Sequence, residues 1–170
     1  AALRSMDRLP TRVAISHSVD ASQDLDKVLQ AIRTVAKHPF TAEDSQLRIV
    51  GIKTYLDGGM LTGSALMREP WGVSSIYRID DPEYRGVRFI PPEKLTAIVR
   101  EAVTNRLQFT AHSVGDGAVH ALLDAYAEVN RELPIRDTRP CITHCNFMSA
   151  EAISSMVKLG VVADIQPVWL

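Results

Sequence analysis

The chain has 170 residues, a formal net charge of −1, 46% hydrophobic and 23% charged residues, the profile of one soluble globular domain and not of a fibre or a disordered segment. Lysines and arginines are scattered among acids without forming a basic stripe, so nucleic acid is not an expected partner. No apolar run reaches spanning length, so no membrane contact is expected either; the start, Ala1-Ala2-Leu3, need not be the native terminus.

Short runs of branched apolar residues alternate with amphipathic helical patterns, which is the signature of βα units and a parallel sheet. The first strand is Arg12 to Ser18, followed by a helix from about Ser22 to Lys37 with Leu25, Val28, Leu29, Ile32 and Val35 at helical spacing. The second strand runs from Leu47 to Leu56, but its helix, Pro91 to Asn105 with proline in the first turn, comes late. The intervening 58–90 segment carries glycines, prolines and Trp71 with little periodicity, and reads as a long insertion of the functional or disordered kind. A third unit has Leu107 to His112 as strand and a helix from Gly115-Asp116 to about Glu132. A fourth has Pro140 to His144, then a helix opened by Ser149 and stopped by Gly160. Val161 to Gln166 is a fifth strand.

Strict strand–helix alternation allows an open doubly wound sheet or part of a closed barrel. No glycine-rich nucleotide motif follows any strand, which favours the barrel. The expected class is therefore α/β: a partial TIM (β/α)8 barrel with about five parallel strands and four helices. Residues 1–170 form the central part of an incomplete domain. Such an open piece leaves two strand edges and an apolar face uncovered, and is expected to self-associate in light-scattering measurements.

Chemistry in parallel barrels gathers at the carboxyl ends of the strands. Three consecutive strands there carry Lys53, His112 and His144. Alternation groups Gly51, Lys53, Tyr55 and Asp57 on one face, Thr110 with His112, and Ile142 with His144 and Asn146. His112 and His144 would project from adjacent strands, about 4.8 Å apart, close enough to share one ion. His17, near a strand end, is a further mouth candidate. His120 reads as a surface or packing residue of a helix, and His38 as solvated. Cys141 and Cys145 bracket His144, but strand alternation turns both away from it, so they read as buried reduced thiols, consistent with a cytoplasmic setting. Lys53, in a strand built mostly of Ile, Val, Gly and Leu, has two functional readings: a Schiff-base nucleophile, as in barrel aldolases, or a lysine carboxylated by carbon dioxide into an anionic metal ligand. The bland reading is a lysine that snorkels to the rim.

Four blocks carry a resemblance: Ile52-Lys53-Thr54-Tyr55-Leu56-Asp57-Gly58-Gly59, Ala111-His112-Ser113-Val114-Gly115-Asp116-Gly117, Thr143-His144-Cys145, and Leu159-Gly160 through Gln166-Pro167. In order and spacing they resemble the amidohydrolase-3, or YtcJ-like, branch of the amidohydrolase superfamily. The resemblance implies a metal-dependent hydrolase acting on C–N bonds of small-molecule amides or formamides, with one or two divalent metals, usually zinc. It implies Lys53 as a carboxylated or metal-contacting residue and His112 and His144 as metal ligands. The family's H-x-H pair and its last-strand aspartate have no counterpart in this sequence, so the chain alone is expected to be nearly inactive. Thr143 stands where many relatives have glutamate, and alternation turns it away from the mouth. Asp116 at a helix start is an N-cap or a catalytic, substrate-contacting residue, and Asp57 is similarly open. Outside this class, a Schiff-base lyase using Lys53 and a non-catalytic regulatory domain on the same fold remain alternatives.

Overall fold

A computed structural model describes residues 10–42, 46–166 and 168. The opening residues and Pro167 of the fourth motif block lie outside them. Five strands, β1 (Val13–Ser18), β2 (Leu47–Tyr55), β3 (Gln108–Ser113), β4 (Cys141–His144) and β5 (Val162–Ile165), form one sheet. Four α-helices connect them: α1 (Leu25–Ala36), α2 (Pro92–Thr104), α3 (Asp116–Asn130) and α4 (Ala150–Leu159). The expected elements are thus recovered, with ends that differ by one to three residues; β3 runs one residue beyond the expected His112. Local chemistry sets several boundaries. Proline opens α2, the Ser149 hydroxyl accepts the Ala152 N–H at 3.1 Å to cap α4, and Gly160 ends α4 at a φ of 71°.

All strand pairs are parallel and the order is β1-β2-β3-β4-β5. A doubly wound sheet reverses its order at a switch point; a strictly sequential order with right-handed crossovers keeps every helix on one side, as in a barrel. The chain is therefore a partial (β/α)8 barrel. Its core lies between sheet and helices: Ile52, Phe109, Ala111 and Ile142 from the strands meet Val28, Ile32, Leu95, Ile98, Leu122, Tyr126 and Ala152, all 1% exposed or less. At the sheet's margins Ile15 and Ile165 remain exposed.

The register between β1 and β2 slips by one residue, Ile15 facing Ile49 but Ser16 facing Gly51. Gly51 suits the crowded position beyond the slip, because a Cβ there would stand 2.1 Å from the Gln108 carbonyl oxygen. The slip also corrects the reading of His17. It pairs with Ile52, a residue of the helix-side core, and so it leaves the face that carries Lys53.

The 58–90 segment is a folded insertion. Phe89 N–H donates to Leu56 O at 2.9 Å, Met67 N–H to Arg85 O at 2.7 Å, and the Trp71 indole to Ala65 O at 2.8 Å. Ala65, Ile79 and Ile90 are buried within it.

Buried Tyr126 of α3 ties two strands together, its one hydroxyl proton shared between Phe109 O at 2.7 Å and Cys141 O at 2.9 Å. Tyr126→Phe keeps the ring and removes only this link. Urea denaturation should show a loss of about 1–2 kcal/mol, and an unchanged midpoint would mean that the link contributes nothing.

Candidate metal centre at the barrel mouth

The face of the sheet away from the helices is organised by register. Lys53 pairs with Thr110, and Tyr55 with His112, so these side chains share that face. Lys53 is half-buried, its Nζ 5.8 Å from the centre of the Tyr55 ring. Tyr55 lies 5.2 Å from His112, and His112 meets the His144 ring edge-on at 4.4 Å between centroids. Lys53, His112 and His144, from three different strands, thus lie along one continuous row.

His144 does not arrive there by alternation. His112 pairs with Thr143, and His144 with Ser113 on the helix side. Ile142 is a core residue against the helices, whereas Thr143 shares the face of His112, with its hydroxyl 3.0 Å from that of Thr110. The expected grouping of Ile142 with His144 in the mouth, and of Thr143 away from it, is therefore reversed. What carries His144 across is the backbone: His144 and Cys145 have φ of 86° and 52°. Left-handed conformations cost non-glycine residues about 1–2 kcal/mol each and persist where surrounding structure holds them. The holding bonds are Cys145 N–H to Ser113 O at 3.2 Å and Phe147 N–H to Val114 O at 3.1 Å.

Each imidazole is oriented through one nitrogen. The Gly58 carbonyl can only accept, so His112 Nε2, 3.0 Å away, is its protonated nitrogen and Nδ1 holds the lone pair. His144 Nδ1 bonds Gln166 Oε1, which leaves its Nε2 as the lone pair. Burial holds the His144 imidazole below the usual 6.5, opposed by the bond to Gln166 and aided by the charges of His112 and Lys53. Imidazoles oriented by a hydrogen bond through one nitrogen, with the other nitrogen unengaged, suit a divalent metal. Among the described residues no group of three or more His, Cys, Asp and Glu comes together, so this chain builds only part of a shell.

Cys141 and Cys145 are buried free thiols, as expected. Burial raises both, Cys145 to about 12, which keeps them protonated and poor as ligands. They do not both point away from the mouth face, since Cys141 pairs with Thr110 on it. His120, half-buried on α3, bonds the Ser149 hydroxyl at 2.9 Å and joins α3 to α4. His38 caps a short 3-10 turn by accepting the Phe40 N–H. Asp116 is not an N-cap, because Gly115 holds that position and no side-chain cap bond forms. Its Oδ1 accepts the Arg68 N–H at 2.9 Å, which commits it to the insertion.

The carboxylate that matters structurally is Asp57, 1% exposed, which the sequence left open. Its Oδ1 accepts from Val114 N at 3.0 Å, and its Oδ2 from Leu66 N at 2.9 Å and Gly115 N at 2.8 Å; Oδ1 also lies 3.7 Å from His112 Nε2. Burial pushes this carboxyl up, while the three N–H groups and His112 pull it down. Both oxygens face donors, so the cradle has no place for a proton or an amide N–H. An aspartate directly after a strand and before Gly58-Gly59 was the available signal.

Sequential parallel strands with helices on one side define a partial (β/α)8 barrel, with two oriented histidines at the carboxyl ends of adjacent strands. The amidohydrolase family model matches residues 1–170, and the chain belongs to that family. Protein LONG AFTER FAR-RED 3 of Arabidopsis thaliana is 31% identical over 121 residues, 71% of this chain and 20% of that protein. The putative amidohydrolase YtcJ of Bacillus subtilis (strain 168) is 25% identical over 116 residues, 68% of this chain and 20% of that protein. The matches thus span a fifth of these curated relatives. Crystal structures of uncharacterized metal-dependent hydrolases from Pyrococcus furiosus and Pyrococcus horikoshii OT3 share the fold. The first gives a TM-score of 0.71 at 23% identity over 95% of this chain and 30% of that one. The second gives 0.72 at 22% over 98% and 30%.

Asp57→Asn turns an amide N–H toward a backbone donor and should cost about 2 kcal/mol, with faster hydrogen exchange at the Leu66, Val114 and Gly115 amides; unchanged exchange would remove Asp57 as the clamp. For His144, the folded value lies below the unfolded one, so its contribution to stability is present above about pH 6.5 and is lost as pH falls through the folded value. The urea midpoint should drop on acidification, and His144→Asn should shrink that drop.

Proposed function

We propose that this chain is the central part of a metal-dependent hydrolase that cleaves C–N bonds of small amides or formamide-like compounds. The observation that carries the reading is the His112–His144 pair, with rings 4.4 Å apart and each tethered through one nitrogen so that the other is free. His112 Nδ1 and His144 Nε2 would hold a divalent ion, zinc being the common choice for imidazole donors. Such an ion, when bound, activates water at neutral pH and polarises a carbonyl.

This chain's own residues orient and insulate. Gly58 O and Gln166 fix the two ring planes, and Asp57 holds Gly58's neighbourhood and the start of α3 in place. Lys53 shares their face, and in this reading it is carboxylated, changing from a cation above Tyr55 to an anionic ligand. The two histidines alone are fewer than the three protein donors of a catalytic zinc site, so in this reading the carboxylated Lys53 is the third, and the chain by itself turns over amides little.

The test is metal content by mass spectrometry after purification without chelator, on the chain and on His112→Ala and His144→Ala. Divalent metal in the parent chain and its loss in both variants is the expected result. Intact mass should also show one added carbon dioxide on the parent chain, absent in Lys53→Ala. Metal retained at the same level in both histidine variants would overturn the assignment.

A further inference from the structure

Beside the two histidines lies a small cavity of about 150 Å³, lined by Gly59, Met60, Leu61, Val114 and Asn146 together with the two imidazoles. Its composition is selective. Among the described residues no Lys, Arg, Asp or Glu lines it, and the only neutral polar side chain besides the imidazoles is Asn146, whose amide has no hydrogen-bond partner among them. Met60 and Leu61 sit on a 3-10 turn, Met60–Thr62, at the start of the insertion. That turn is fixed: Gly59 N–H donates to the Ser64 hydroxyl at 3.1 Å, and Ser64 and Ala65 N–H both return to Gly59 O. Leu61 nevertheless remains 69% exposed, with its side chain unburied by the rest of the chain.

From these observations the geometry points to a substrate subsite for a compact, uncharged apolar group that carries one amide-type hydrogen-bonding function, with Leu61 and Met60 as its specificity-determining wall. This rests on the hydrolase reading of the same mouth and narrows its substrate class to neutral amides. The physical reason is desolvation. Along the Met60–Leu61 wall, away from the ion the imidazoles would hold, a carboxylate or ammonium would lose water and meet no opposite charge among the described residues, whereas an apolar group gains by covering Leu61, Met60 and Val114. Size is consistent, since a dry aliphatic cavity of about 150 Å³ accepts a six-membered ring. The free Asn146 amide can both donate and accept, and so pairs with the polar end of an amide without requiring charge.

Benzamide and 4-carboxybenzamide form a matched pair of probes, titrated into the chain while the His112 and His144 ring signals are followed by NMR. Benzamide should give saturable shifts of both rings, 4-carboxybenzamide should bind at least tenfold more weakly, and Leu61→Asp should weaken benzamide at least tenfold. Because Leu61 is exposed, that variant should keep the urea midpoint of the parent chain, and Leu61→Met should retain benzamide binding. Equal binding of the two probes, absence of benzamide binding, or indifference to Leu61→Asp would overturn the subsite. The metal measurement reads the hydrolase assignment separately: benzamide binding in a chain that takes up no metal leaves the subsite standing and removes the hydrolase, and metal uptake without benzamide binding does the reverse.

Discussion

Right-handed crossovers between parallel strands in sequential order place every helix against the same face of the sheet, and that single constraint divides the molecule. On the helix side, Ile52, Phe109, Ala111 and Ile142 are driven into a closed apolar layer. On the other side the strands carry Lys53, Tyr55, Thr110, His112, Thr143 and Asp164, a polar composition that a buried sheet face would not tolerate without partners. Thr110 and Thr143 answer this by bonding each other, and His112 by bonding Gly58 O. The chemistry-bearing groups sit at the carboxyl ends because only there does the polar face open toward loops that supply such partners.

Much of this was legible in the chain. Element type and order follow from helical and strand periodicity, and the breaks follow from Pro92, Ser149 and Gly160, whose local chemistry acts within a few residues. His112 and His144 stood out because they end successive strands one repeat apart. Lys53 stood out because it follows the run Ile49-Val50-Gly51-Ile52 near the carboxyl end of its strand. What strand periodicity could not supply was the side on which His144 lies. Alternation assumes a regular strand, and the two left-handed residues His144 and Cys145 break it. The same limit explains His17, displaced from the mouth face by a one-residue slip at Ser16 that no residue of β1 announces. In the first case an irregularity added a residue to the site, and in the second it removed one.

The insertion was the least legible part, because its order comes from contacts distant in sequence. It is joined to the β3–α3 corner by the Asp57 carboxylate, by Ala118 N–H to Leu66 O at 3.2 Å, and by Arg68 N–H to Asp116. Gly115 and Gly117 make this approach possible, since a Cβ at Gly115 would lie 1.9 Å from the Leu66 oxygen. The Gly-Asp-Gly stretch that looked like a helix start with an acidic cap is better understood as a landing surface: glycine for close approach, aspartate for the incoming Arg68 amide.

This attachment bears on how the mouth works. The histidine pair and the apolar wall belong to different segments, the first to β3 and β4 and the second to the turn at Met60–Thr62. They share one anchor, because Asp57 binds Leu66 of the insertion and Val114 and Gly115 after β3, close to His112. Swinging the insertion away like a lid would strip this buried carboxylate of its Leu66 donor, a bond to a charged acceptor worth about 1.5–3 kcal/mol. That cost favours a wall that stays in fixed relation to His112 while a substrate enters past exposed Leu61. Selectivity in such a site comes from a preformed shape and from the absence of charge, and little of the binding energy is consumed in ordering a loop.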